Sequence, residues 1–216
     1  MSEKSIPESM KLHHEKVFAT YGATPRGLDW SEREADLTLR YDKMLDLVLN
    51  GQKLGRTPRL LDVGCGYGGL LEHIRARNLD IEYSGIDICE PMIVEAKRRL
   101  PGVTFFSGDI LEAKDIGTYD YLVCNGIMTQ KLDASIPQMN AFVRSLVRRM
   151  YEMSSEGVAF NLMSSRVNFM VGNLFYCSPV EILSWCMTEL SPNVALNHAY
   201  PLYEFTTYVY KTGLSR

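Results

Sequence analysis

The sequence predicts an α/β protein: a three-layer, doubly wound, mostly parallel sheet of seven strands, with an antiparallel C-terminal hairpin and an N-terminal helical cap. Three observations predict it. Short apolar runs alternate with helix-period stretches five times between Arg59 and Leu190, the pattern of repeated strand–helix units. A glycine-rich turn, Gly64-Cys65-Gly66-Tyr67-Gly68-Gly69, joins the first strand to its helix. The last two apolar runs, 194–198 and 205–210, have no helix between them and should pair antiparallel.

In chain order, residues 1–15 are polar and charged, suited to a loose helix or a partly disordered start. Ser31-x-x-Glu34 has the form of a capping box, and Leu37, Tyr41, Met44, Leu45 and Val48 recur behind it at helical spacing up to Asn50-Gly51. Strand 60–63 leads to helix 69–77. Strand 81–86 leads to helix 91–100, where Pro91 suits the first turn and Lys97, Arg98 and Arg99 suit the last. Strand 103–106 precedes an irregular piece, strand 121–124 precedes helix 136–153, and strand 157–162 precedes helix 179–190, opened by a second box, Ser178-x-x-Glu181. The expected division is a cap over 1–55 and one compact unit over 56–216.

Composition bounds the function. With 216 residues, 46% hydrophobic, 23% charged and a net charge of −3, the chain reads as an ordinary globule with no basic excess for polynucleotides. No apolar run nears the roughly 20 residues that span a bilayer, and residues 1–15 contain no signal-peptide core, so a cytoplasmic protein is expected. The five cysteines form no C-x-x-C pair and read as reduced, buried hydrophobes. No cluster has metal-ligand spacing, so no metal is expected.

The chemistry concentrates at strand ends. Glycine lets a turn pass close to a ligand, and the following helix presents amides to it. Asp87 stands 23 residues beyond Gly64, where a neighbouring parallel strand ends and a carboxylate can take ribose hydroxyls. An adenosine-containing cofactor follows. Gly64 to Gly69 also satisfies G-x-G-x-x-G, which keeps a nicotinamide-dependent oxidoreductase as an alternative. Against it stand Asp62 within the first strand, Gly108-Asp109-Ile110 after the third, and the terminal hairpin.

Four motifs resemble those of the class I S-adenosylmethionine-dependent methyltransferases of small-molecule type: Leu61-Asp62-Val63-Gly64-Cys65-Gly66-Tyr67-Gly68, Gly85-Ile86-Asp87-Ile88, Ser107-Gly108-Asp109-Ile110 and Tyr119 to Gly126. The resemblance covers about 60–211 and implies S-adenosyl-L-methionine as cofactor. It implies that Gly64, Cys65 and Gly66 meet the methionine part, that Asp62 organises the ammonium side, and that Asp87 holds the ribose. Ile88 would pack on adenine, Asp109 and the Ile110 amide would read its edge, and Asn125 and Gly126 would lie near the methyl-bearing sulfur. Tyr67 departs from the small residue common there and is expected to crowd the cofactor tail. Segment 21–30 followed by Arg40-Tyr41 resembles a small-molecule subgroup's cap. There Arg40 is a candidate clamp for the cofactor carboxylate.

On the acceptor side, the residues after strand four, Asn125-Gly126-Ile127-Met128, lack the Pro-Pro-aromatic run of amino-methylating nucleic-acid enzymes. A small metabolite is the remaining choice, with oxygen slightly ahead of nitrogen, and a silent cofactor-binding partner protein as a further alternative. His198, closing a hairpin strand, is the candidate proton acceptor, with Tyr203 and Glu204 behind it. Asn161 and Ser164 to Arg166 are expected to wall the substrate, and Trp30 and Tyr21 to close over it. His13, His14 and His73, among charged neighbours, read as solvated or helix-surface residues. Asp120 reads as structural.

Overall fold

The computed structural model describes residues 5–51 and 53–213. The first helix, α1 (Ile6–Tyr21), is regular from its first turn. Ser5 Oγ accepts from the Glu8 amide while the Glu8 carboxylate accepts from the Ser5 amide, so a full capping box replaces the loose start expected. A 3₁₀ turn (Pro25–Leu28) follows, then α2 (Glu34–Leu49). The anticipated Ser31-x-x-Glu34 box does not form. Arg33 occupies the cap position without a side-chain bond, and the Ser31 hydroxyl donates instead to the Asp36 carboxylate at 3.3 Å.

From there strands and helices alternate: β1 (Arg59–Val63), α3 (Gly69–Ala76), β2 (Glu82–Asp87), α4 (Glu90–Arg99), β3 (Thr104–Ser107), β4 (Tyr119–Cys124), α5 (Ile136–Met153), β5 (Ser154–Ser164), β6 (Tyr176–Cys177), α6 (Pro179–Glu189), β7 (Val194–Asn197) and β8 (Glu204–Tyr210). The sheet order is β3-β2-β1-β4-β5-β8-β7. Strands β1 to β5 run parallel, and β8 inserts antiparallel between β5 and β7. The seven-stranded path is the one the sequence predicts. An eighth strand, β6, is only two residues long and pairs beside the end of β5, too short to leave a periodic signal.

Side-chain alternation builds the three layers. Leu61, Val63, Leu122, Cys124, Val158 and Phe160 face α5 and α6. Leu60, Tyr121, Val123 and Ala159 face α2, α3 and α4. Helix α2 thus joins the helical layer of the sheet through Met44, Leu45 and Leu47. The five cysteines are free and buried, and burial raises the thiols of Cys89 and Cys177 to about 11 and of Cys186 to about 12.

Asp120 pins the opening of β4. Both its oxygens accept from Arg56 at 2.7 Å, and the Arg59 amide and Ser155 hydroxyl add bonds of 2.7 and 3.1 Å. Burial alone would raise this carboxyl, but those donors outweigh it and hold it below the usual range. A depressed folded value contributes stability that is complete above the unfolded value of about 4 and is lost as pH falls through the folded one. Asp120→Ala should therefore cost about 2–3 kcal/mol at pH 7, where the Arg59 amide loses its acceptor. In urea unfolding the gap to the parent protein should shrink in acid, as pH falls below the ordinary carboxylate range.

Candidate active site

The strand order reverses between β1 and β4, and open α/β sheets bind ligands in the crevice at that switch point. A cavity of about 1110 Å³, counting its open mouth, lies there. Val63 is in register with Ile86 on one side and Cys124 on the other, and Asp87 with Ser107. The residues just past these points converge on one space.

Gly64 has φ 77°, and a Cβ there would collide with the Ile127 side chain. The bend passes so close to the segment after β4 that only glycine fits. Asp87 Oδ2 accepts from the Gly66 amide at 2.9 Å and Oδ1 from the Cys89 amide at 2.8 Å. A carboxylate has about four lone-pair sites, so these two bonds leave acceptor capacity on a side chain that lines the cavity. Burial raises this carboxyl while its amide bonds oppose the rise. Asp62 is buried, and the Tyr83 hydroxyl donates to it at 2.8 Å. Burial pushes its carboxyl up to about 7, with the Tyr83 bond opposing and the Asp87 charge adding. Asp109 spends one oxygen on the Leu111 amide at 2.9 Å.

After β4, Gly126 has φ 94°, and a Cβ there would meet the Trp30 indole at 2.9 Å. Its amide donates to Asn161 Oδ1 at 2.9 Å. Asn125 is 8% exposed, and both polar atoms of its side chain lack a partner. A buried primary amide without partners is costly, and it lines the cavity. The glycine bend, two half-used carboxylates and this orphaned amide fit an adenosine-bearing ligand with polar ends.

Nine of the eleven residues expected at the cofactor line this cavity: Asp62, Gly64, Cys65, Asp87, Ile88, Asp109, Ile110, Asn125 and Gly126. Gly66 sits behind it, its amide spent on Asp87 and its α-carbon covered by Leu28. Arg40 is turned elsewhere. Its Nε lies 3.1 Å from both oxygens of the buried Glu204, and its guanidinium is 5.4 Å from the Trp30 ring. A buried carboxylate needs a cation, and that demand holds Arg40 away from the lining. His198 is likewise absent from the lining: it is exposed past β7, its ring 5.9 Å from Phe205. Strand β7 lies at the sheet's edge, with β5 and β8 between it and β4.

Further expectations resolve differently. Tyr67 is buried under Arg99, 4.9 Å from its guanidinium, and is no part of the lining. Asn161 braces the Gly126 turn rather than walling a substrate. Tyr21 is exposed beneath Arg26, while Trp30 does line the cavity. His73 sits half-buried on α3, 2.8 Å from Asp42 and against Tyr41.

The largest omission of sequence reasoning is α1. Pro7, Met10 and His14 line the cavity; their spacing of three and four puts them on one helix face. Asp29, Thr129 and Gln130 line it too. Asp29 Oδ2 receives Gln130 Nε2 at 2.7 Å and lies 2.9 Å from His13 Nε2, while Gln130 Oε1 accepts from Asn173 at 3.1 Å. The chain of bonds ties α1 to the segment after β4.

Comparison with known proteins agrees with this geometry. Residues 60–151 match the family described as "Methyltransferase domain". The Mycobacterium tuberculosis protein Rv1506c, named provisionally as a methyltransferase, is 33% identical over 155 residues, covering 70% of this chain and 92% of that protein. The trans-aconitate 2-methyltransferase of Methylobacterium nodulans is 35% identical over 75 residues, but only 35% of this chain and 29% of that enzyme are covered. Among solved structures, magnesium protoporphyrin IX methyltransferase of Synechocystis PCC 6803 with bound S-adenosylmethionine superposes with a TM-score of 0.68 at 12% identity, covering 98% of this chain and 100% of the other. The S-adenosylhomocysteine complex of DhpI gives 0.63 at 17%, covering 98% and 99%. A glycine bend at a sheet's switch point and a full-length relative lead to one assignment: the chain belongs to the class I S-adenosylmethionine-dependent methyltransferases.

Proposed function

We propose that this enzyme methylates a small, neutral acceptor, at a hydroxyl in first preference and an amine in second. The carrying observation is the charge of the cavity: Asp29, Asp62, Asp87 and Asp109 line it, and no lysine or arginine does among the described residues. An anionic acceptor such as trans-aconitate would find no counter-charge, and desolvating its carboxylates unpaired is costly. The apolar share of the lining, Met10, Ile127, Phe142 and Leu146, suits a largely apolar body.

When bound, the cofactor supplies a methyl made electrophilic by its sulfonium. The residues do the rest. Asp87 takes the ribose through its unused lone pairs, Asp109 and the Ile110 amide meet the adenine edge, and Ile88 packs on its face. Asp62 faces the ammonium end, and Gly64 and Cys65 admit that end past a bare backbone. Asn125, with its unpartnered amide, orients groups at the reacting centre. Positioning of this kind supplies roughly 7–11 kcal/mol in well-oriented reactions. Residues 1–55 act as the cap over a catalytic unit of 56–216, and the enzyme works in the cytoplasm.

The test is direct binding. S-adenosylhomocysteine should bind in titration calorimetry; if it leaves no heat and no thermal shift, the function proposed fails. A pH dependence follows from Asp62. A carboxyl near 7 in the empty protein is part-protonated at neutral pH, and an ammonium partner favours the charged form. Affinity should therefore fall as pH drops from 7.5 to 6, with proton release on binding, read from heats in buffers of different ionisation enthalpy. In Asp62→Asn the pH dependence should vanish.

A further inference from the structure

Helix α1 lines the cavity through Pro7, Met10 and His14 and so sets one imidazole against it. His14 is half-buried there, has no hydrogen-bond partner among the described residues, and shares a helix face with Met10 and Pro7. His198 is remote, so His14 is the histidine of the lining. We propose that His14 is the catalytic base, receiving the proton of the acceptor as its methyl bond forms. The inference rests on the methyltransferase reading above and adds to it a residue on the acceptor side.

Three properties support it. First, the polar groups beside it are already engaged: His13, its neighbour on α1, and Gln130, from the segment after β4, both meet Asp29 Oδ2. His14 is left with its lone pair unused. Second, the ring is neutral in working conditions. Burial pushes it down to about 4, His13 adding to the fall and Asp29 opposing it. A cationic ring would repel a sulfonium, whereas a neutral one tolerates it. Third, charge is conserved across the step. The acceptor oxygen bonds to the methyl carbon as the carbon–sulfur bond returns its electron pair to sulfur, and the hydroxyl proton passes to a ring nitrogen of His14. One positive charge leaves the sulfur as another arises on the imidazole, facing Asp29. The cavity carboxylates Asp62, Asp87 and Asp109 see little change in total charge, which limits reorganisation of the surroundings.

The experiment reads the charge that His14 feels, without needing the natural acceptor. The protein holds four histidines, so the side-chain magnetic resonance signal that disappears in His14→Asn identifies the residue, with His14→Gln as the second variant should the first fail to fold. The wild type is then titrated in the presence of S-adenosylhomocysteine, whose thioether is neutral, and of sinefungin, whose ammonium stands where the methylsulfonium would. The His14 ring should bind a proton roughly tenfold more weakly with sinefungin, the effect expected of a unit charge several ångströms away through a partly solvated medium. Equal proton affinity in the two complexes, or a signal that ignores both ligands, would overturn the proposal while leaving cofactor binding intact. Failure of either ligand to bind at all would instead bring down the underlying methyltransferase reading, and this inference with it.

Discussion

Asp87→Ala is expected to weaken S-adenosylhomocysteine binding roughly 100-fold in titration calorimetry. A hydrogen bond to a charged group contributes about 1.5–3 kcal/mol, and each 1.4 kcal/mol is a factor of ten. The lost ribose contacts reach that range without help. The glycine bend also suffers, because the Gly66 and Cys89 amides lose their acceptor. The same carboxylate shapes the loop and, in the function proposed, takes the ribose, so part of the loss would be pre-organisation. Asp87→Asn separates the two contributions. It keeps an oxygen for one amide but turns an NH₂ toward the other, and should recover only a minor part of the affinity. Unchanged binding in Asp87→Ala would remove this residue from the site.

The second large effect is on stability. Phe160 is fully buried in β5, in register with Cys124 of β4 on one side and Thr207 of β8 on the other. Phe160→Ala removes a ring from the core beneath α5 and α6, with little freedom for neighbouring strands to close the void. The expected cost is about 3–5 kcal/mol, a fall in melting temperature on the order of 10 °C for a chain of this size. Urea unfolding with an unchanged m-value would check it; a loss under 1 kcal/mol would mean the strands collapse into the gap.

The sheet was legible because its signals are local. Leu60 to Val63 apart from Asp62, Tyr121 to Cys124 and Val158 to Phe160 are apolar on both faces, as strands covered on both sides must be, and the missing helix before β8 announced the antiparallel insertion. The part of the cavity lining at the sheet was legible for the same reason: Gly64, Asp87, Asp109 and Asn125 each lie at or just past a strand end that the pattern locates. The acceptor side was not. Arg40 and His198 were chosen by residue type, and their fates were decided by Glu204 and by the outermost position of β7, which sequence spacing does not encode. His14 was hidden by its neighbours, since Lys11, His13, Glu15 and Lys16 suggest solvent. The useful sign was the three-and-four spacing of Pro7, Met10 and His14, which marks a face without saying what it covers.

One oxygen, Asp29 Oδ2, joins His13 of α1 to Gln130 of the segment after β4, on a backbone held at φ 61°. Cutting the chain ahead of Gly22 would thus strip a wall and slacken the opposite surface in a single stroke. N-terminal deletions and bulky fusions on this protein report on chemistry as much as on solubility, and an inert truncated product says nothing against the intact enzyme.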